Sequence, residues 1–205
     1  MTNIMIVIPV ADQTQQNFDQ LIDDLTGNYV FQEEDFFNNN FNENVQEVVI
    51  NPYLNLKSPD YSQKIFFVSH EEYVCPPSCE NIVVSGDLSV SKLWNAGISK
   101  ASERGATHIV ILNEVSSINP HIFLEAVSEC EKTIINLSDG GCFIVKPGVV
   151  ANESYRWWFA DLDLFLNNEV DIVRNDFTNI RQENRILIEG YVQKLVDQDR
   201  DIFNR

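Results

Sequence analysis

The chain has 205 residues, 14 Lys and Arg against 31 Asp and Glu, a net charge of −17 and 44% hydrophobic residues. That hydrophobic content excludes a disordered chain, and the length lets one domain bury roughly 70% of its unfolded surface, enough for a core without covalent staples. The acidic balance argues against nucleic acid as an electrostatic partner, because phosphate binding needs clustered Lys and Arg; the first basic side chain is Lys57, and residues 1–56 carry only acids.

No uninterrupted apolar run approaches the ~18–20 residues that span a bilayer. The N-terminal residues lack the basic stretch of a signal peptide, so a cytoplasmic location is expected, that of the host if the source is a virus. Cys75, Cys79, Cys130 and Cys142 are too few for a disulfide scaffold. Cys75-x3-Cys79 has no second Cys or His pair at zinc spacing, and the four read as reduced structural thiols.

In chain order, Ile4 to Ile8 is a continuous apolar run closed by Pro9, the pattern of a strand buried on both faces of a parallel sheet. Phe18, Leu21, Ile22 and Leu25 recur at helical spacing and stop at Gly27. Phe31 to Asn44 carries little pattern. Val45 to Ile50, Ile65 to Val68 and Asn81 to Val84 read as strands. Ser89 to Arg104 reads as an amphipathic helix ending near Gly105, and His108 to Leu112 as an apolar strand. Asn119-Pro120 opens a helix with Phe123, Leu124 and Val127 on its inner face, and Gly140 to Val145 follows as a strand closed by Pro147. Trp157 to Leu166 predicts a short helix under the sheet edge, Val170 to Val173 a strand, and residues 184–203 an amphipathic C-terminal helix. Such alternation predicts an α/β fold, one domain with a mostly parallel central sheet flanked by helices.

Open α/β sheets bind ligands at the carboxyl ends of their strands. The residues there are Pro9-Val10-Ala11, Asn51-Pro52, Ser85-Gly86-Asp87 and Asn113-Glu114. Polar residues and prolines also terminate strands by turn chemistry alone, so the convergence of four ends counts for more than any single one.

The run Ile4 to Val10 resembles the opening strand of the inverting nucleotide-sugar glycosyltransferases of the GT-A fold, family 2 type, with its VIPV end. VSKLWNAGI, within Ser89 to Ile98, is similar to that family's N-x-G helix. IVILNEVSSINP, Ile109 to Pro120, resembles the strand bearing its metal motif; Gly140 to Val145 resembles its acceptor-side strand, and FADLDL, Phe159 to Leu164, its F-E-D-x-D-L. The resemblance covers residues 1–180 in order. It implies a Rossmann-related single domain, with a nucleotide-sugar half over about 1–115, an acceptor half over about 116–183 and the C-terminal helix beyond.

The same resemblance implies roles. Pro9, Val10, Ala11 and Asn51 would hold the donor's base, and Asp87, Lys92, Asn95 and Asn113 would complete the nucleotide-sugar site. The family's D-x-D motif holds Mn²⁺ or Mg²⁺, since carboxylates and phosphate oxygens suit hard cations. Here its positions read Asn113-Glu114-Val115, leaving Glu114 as the anionic ligand. No His stands at Ile180 to Glu183, where the family places one to complete the metal shell, and Gln182 there could offer an oxygen ligand; either the metal is held by the donor and Glu114, or cations such as Lys92, Arg181 or Arg185 neutralise the leaving diphosphate instead. Asp161 matches the first Asp of E-D-x-D and would be the general base that takes the acceptor hydroxyl's proton. Ala160 stands in place of the usual acid, and Asp163 takes a structural role. Trp157 and Trp158 would stack on the acceptor.

The function implied is inverting transfer of a sugar from a UDP-type donor to a hydroxyl of a glycan or other small acceptor, as in small viral, phage or bacterial enzymes. One alternative is a phage-type DNA-base glycosyltransferase, which would need Lys92, Lys100, Arg104, Arg174, Arg181 and Arg185 in one patch. Another is a nucleotide- or glycan-binding module without turnover, favoured by the altered metal motif. A homodimer is compatible with these readings, and a dimer seam on an exposed apolar C-terminal helix would mark a structural interaction protein. His70, His108 and His121 are scattered and are assigned no catalytic role.

Overall fold

Ile4–Val10 forms strand β1 with every residue buried, as a central strand covered on two faces must be. The structure is a computed structural model that describes residues 2–10, 18–29, 57–72, 74–113, 115–138, 141–156, 159–173, 181–182 and 191–204. Phe31 to Asn44, the expected strand Val45 to Ile50, the first part of the C-terminal segment, and Ala11, Asn51, Glu114, Trp157 and Trp158 lie outside those residues.

After β1 come α1 (Asp19–Leu25), β2 (Ile65–Ser69), β3 (Cys79–Val83), α2 (Val90–Glu103), β4 (His108–Leu112), β5 (Val115–Ser117) and α3 (His121–Glu129). They are followed by β6 (Ile134–Ser138), β7 (Cys142–Val145), α4 (Ala160–Leu166), β8 (Val170–Ile172), β9 (Arg181–Gln182) and α5 (Tyr191–Phe203). Seven strands make one sheet in the order β3-β2-β1-β4-β7-β6-β8, while β5 and β9 form a separate antiparallel pair. Strands β3, β2, β1 and β4 run parallel; β7 is antiparallel to β4 and β6, and β8 is parallel to β6. The α/β architecture with a mostly parallel sheet flanked by helices is therefore the one that forms. No helix among the described residues is long and apolar enough to cross a membrane.

Alternation along β1 divides the core. Ile4, Ile6, Ile8 and Val10 pack with Phe18, with Leu21 and Leu25 of α1 and with Ile122, Phe123 and Ala126 of α3. Met5 and Val7 pack on the other face with Leu93, Trp94 and Ile98 of α2 and Ala160 and Leu164 of α4. Helix α2 lies close against that second face because residue 97 is glycine: a Cβ there would collide with both methyls of Val7 and crowd Val68.

Several elements differ from the sequence expectation. Leu124 is 48% exposed, and the inner face of α3 is instead Ile122, Phe123 and Ala126, the stripe that a helix starting at His121 turns to the sheet. β6 was not expected, since Asn136 and Ser138 interrupt its apolar run; its place comes from pairing with β7 on one side and β8 on the other. β3 begins at Cys79, two residues early, because Cys79 and Glu80 pair with Ile65 and Phe66. A further acid, Asp24 of α1, is buried and accepts hydrogen bonds from Gln20 Nε2 (2.8 Å), Ser117 Oγ (2.7 Å) and Ile118 N (3.0 Å), which fastens β5 to α1.

Two expectations follow from this packing. Gly97→Ala should destabilise the fold by about 1–3 kcal/mol in urea unfolding, because the added methyl overpacks a filled interface. Burial holds His121 below its ordinary pKa of 6.5, and burial followed by the Lys146 charge does the same for His108. The unfolded chain takes up protons at both that the folded chain resists. Their stability contribution is thus complete above pH 6.5 and is lost as pH falls toward the folded-state values. Melting temperature should drop between about pH 7.5 and about pH 5.5, with a shallower slope in the His108→Gln, His121→Asn double variant.

Candidate functional site at the strand ends

The chain leaves β1 for β2 on one side, yet the crossover from β3 to β4 passes to the other side of β1. Such a reversal opens a crevice beyond the carboxyl ends of the two strands that flank it, here β1 and β4. At the end of β1, Pro9 and Val10 are buried and register with Val68 and Ser69, so their side chains belong to the core. At the end of β4, Asn113 donates its N–H to Gly141 O at 2.7 Å, and its Oδ1 accepts from Trp94 Nε1 at 2.9 Å. Trp94, buried edge-on against Phe143, thus ties α2 to the last residue of the β4 segment.

The ends of β2 and β3 meet the start of α2 through His70. Ser89 N donates to His70 Nε2 at 3.0 Å, and His70 Nδ1 lies 2.9 Å from Val84 O. Because the backbone N–H can only donate, Nε2 must accept and Nδ1 must carry the proton that Val84 receives, which fixes one neutral tautomer. Ser89 caps α2, its Oγ accepting from Lys92 N at 3.4 Å, and Val90 N donates to Arg156 O at 2.7 Å. These amides of the first turn are engaged by protein acceptors.

Asp87, Lys92 and Asn95, among the side chains predicted for the donor, lie around this turn. The Lys92 ammonium lies beside Gly86, whose φ of +108° is one that glycine adopts readily; a Cβ there would sit 3.8 Å from Nζ, an ordinary contact. Asp87 faces Arg156 Nη1 at 3.7 Å, both groups well exposed, an arrangement of small energy in water. Asn95 brackets a neighbouring turn: its Oδ1 accepts from Ala151 N at 2.8 Å, and its Nδ2 donates to Ala151 O at 2.9 Å and to Glu153 Oε1 at 3.0 Å.

Asp161, the candidate base, is half-buried in the first turn of α4. The residue before that helix, Phe159, has φ +62°, which is unfavourable for a side chain of its size. Its ring stacks on Phe203 of α5, with centroids 4.9 Å apart and planes 16° from parallel. One turn back along α5, the fully buried carboxylate of Asp199 accepts Arg156 N with both oxygens, at 3.0 and 3.1 Å. Tyr155 hydrogen-bonds to Asp163, and burial first, then the charges of Asp163 and Asp199, push its hydroxyl pKa up. Between α5 and residues 153–156 runs an open groove of about 450 Å³ that includes Arg156, Asp199 and Asp201 but none of the predicted site residues.

Among the described residues no group of three or more His, Cys, Asp or Glu could hold a metal ion. At the position of the D-x-D motif the Asn113 amide oxygen is on the Trp94 indole and Val115 is fully buried in the core, so these two residues fit a divalent cation poorly. Of the cations weighed for a nucleic-acid patch, Arg174 and Arg185 lie outside the described residues, and Lys100 and Arg104 stand apart from Lys92. Lys100 and Arg104 both pair with Glu80, at 3.4 and 2.6 Å, roughly 12–18 Å along α2 from Lys92. Arg181 and Gln182 enter β9 opposite Ser117 and Val115.

His70, Tyr155, Arg156 and Asp199 were not singled out by the sequence. His70 follows β2 directly, so the strand-end rule applied to that strand would have found it. The other three have no local signal, because their contacts join residues 43 or more positions apart or turn on burial. Phe203→Ala should lower stability by about 1–3 kcal/mol and speed amide exchange at residues 160–163 more than in β1 or β4, with Phe203→Tyr restoring most of both.

No protein-family model matches the chain, and no curated protein matches it. Among solved structures it is similar to a "putative nucleotide-diphospho-sugar transferase" from Desulfovibrio desulfuricans G20, with a TM-score of 0.45 and 11% identity over 100% of this chain and 98% of that one. At that identity the two chains share too few side chains for one site to be read from the other.

Proposed function

We propose that this chain is a nucleotide-sugar transferase, moving a sugar with inversion from a UDP-type donor to a hydroxyl of a glycan or other small acceptor. The observation that carries the reading is the reversal of strand order at β1 and β4, which opens a crevice where the motifs resembling glycosyltransferases end. In this proposal residues 1–115 bind the donor and residues 116–183 the acceptor. Lys92 meets the diphosphate's negative charge from the first turn of α2, its ammonium beside Gly86. With Asn113 held by Trp94 and Val115 in the core, the charge assigned to the diphosphate is that of Lys92 rather than of Mn²⁺ or Mg²⁺. Asp161 takes the acceptor's proton as the hydroxyl attacks the anomeric carbon, and Trp157 and Trp158 stack on the acceptor.

The Trp94 to Asn113 hydrogen bond also favours a second reading, a nucleotide- or glycan-binding module without turnover, because it occupies an oxygen that the metal motif would offer. Calorimetric titration with UDP and a panel of UDP-sugars, with and without Mn²⁺, separates the two when donor hydrolysis is followed in the same samples. Binding with hydrolysis supports the transferase, binding without hydrolysis supports a nucleotide-binding module, and absence of binding overturns the transferase and nucleotide recognition alike. Asp161→Asn should keep donor affinity and lower turnover by about 10²-fold or more; unchanged turnover removes Asp161 from the role of base.

A further inference from the structure

We propose that Cys75 and Cys79 form a reversible intramolecular disulfide, a modification site at the start of edge strand β3, separate from the strand-end crevice. All four thiols are reduced in the structure. The Cys75 thiol lies 3.6 Å from Cys79 O, the Cys79 sulfur lies 3.6 Å from Ser78 Oγ, and both cysteines are half-buried against the same core cluster. A turn brings them together, with Cys79 N donating to Pro76 O at 2.9 Å.

The turn is held from outside as well. Gln63 N donates to Ser78 O at 2.8 Å and Gln63 Nε2 to Pro77 O at 3.2 Å, with Gln63 itself at φ +64°. A disulfide needs Cα atoms about 4.4–6.8 Å apart, and only a chain reversal between positions i and i+4 supplies that. The folded chain supplies the reversal already fixed. By contrast Cys142 is fully buried in the sheet, and Cys130 lies at the end of α3.

The two sulfurs differ in reactivity. Burial first, with a smaller contribution from the Cys75 charge, pushes the Cys79 thiol up to about 11, so Cys79 is the slower nucleophile. Cys75 as thiolate attacks one sulfur of a low-molecular-weight disulfide such as glutathione disulfide, forming a mixed disulfide and releasing one thiol. Cys79 then loses its proton and attacks the Cys75 sulfur, expelling the second thiol. Two S–H bonds are replaced by one S–S bond, and the two electrons and two protons leave with the oxidant, now two thiols. The product staples the entry of an edge strand, where unpaired backbone makes fraying easiest.

The test uses the native chain, equilibrated in glutathione redox buffers, quenched with acid, unfolded in urea for alkylation and digested with trypsin. The peptide Ile65 to Lys92 contains both cysteines and no other. It should become lighter by two hydrogens and refractory to alkylation, with no glutathione attached, while Cys130 and Cys142 stay alkylatable. Cys79→Ser should instead accumulate a glutathione adduct on Cys75. A persistent glutathione adduct on the native peptide, two free thiols under conditions that oxidise Cys130, or less disulfide in the folded chain than in the same chain in urea would each overturn the proposal.

Discussion

The burial of β1 on both faces is the constraint from which the other elements follow. A strand of seven buried residues exposes no face to water, so it needs parallel neighbours on each edge and helices on each side. Ile4, Ile6, Ile8 and Val10 require α1 and α3, and Met5 and Val7 require α2. The second requirement is met only because Gly97 lets the α2 backbone settle onto Val7 and Val68. The first is reinforced by Asp24, a buried acid whose three donors replace the water it gives up. Each helix layer is thus held by a feature other than apolar area alone, α2 to the sheet by Gly97 and α1 to β5 by Asp24.

A second organising point lies at Tyr155 and Arg156. Their carbonyls accept from Ser91 Oγ and Val90 N at the start of α2, and the Arg156 amide donates to Asp199 of α5. The turn bearing Lys92, the helix bearing Asp161 and the C-terminal helix therefore share one backbone junction. Phe203 extends that junction to Phe159, where a stacked ring holds a backbone conformation unfavourable for a large side chain. Donor-side and acceptor-side groups in the proposed reaction are in this way set relative to one another by α5, which contributes no predicted site residue itself.

Much of the architecture was legible in the residues. His108 to Leu112 formed the strand that its apolar run predicted, and Ser89 to Arg104 folded as a helix between its cap and Gly105. These succeed because periodicity and capping are local and strong. β6 escaped because Asn136 and Ser138 interrupt its apolar run, and its pairing with the two flanking strands makes it one. Leu124 was placed inward because hydrophobicity was read without the phase of the helix, which the docking of Ile122 and Phe123 decides.

The candidate site was legible only as a list of residue types at strand ends. Asn113, expected at the nucleotide-sugar site, accepts from Trp94; Asn95, expected there too, brackets Ala151; and Asp199, on which the sequence carried no signal, is fully buried. The sequence by itself determined the α/β class, the central place of β1 and the order of strands and helices, because burial patterns repeat at the period of each element. Tertiary structure alone decided which polar atoms are already satisfied, since hydrogen bonds such as those from Arg156 to Asp199 or Trp94 to Asn113 join residues whose separation along the chain carries no pattern.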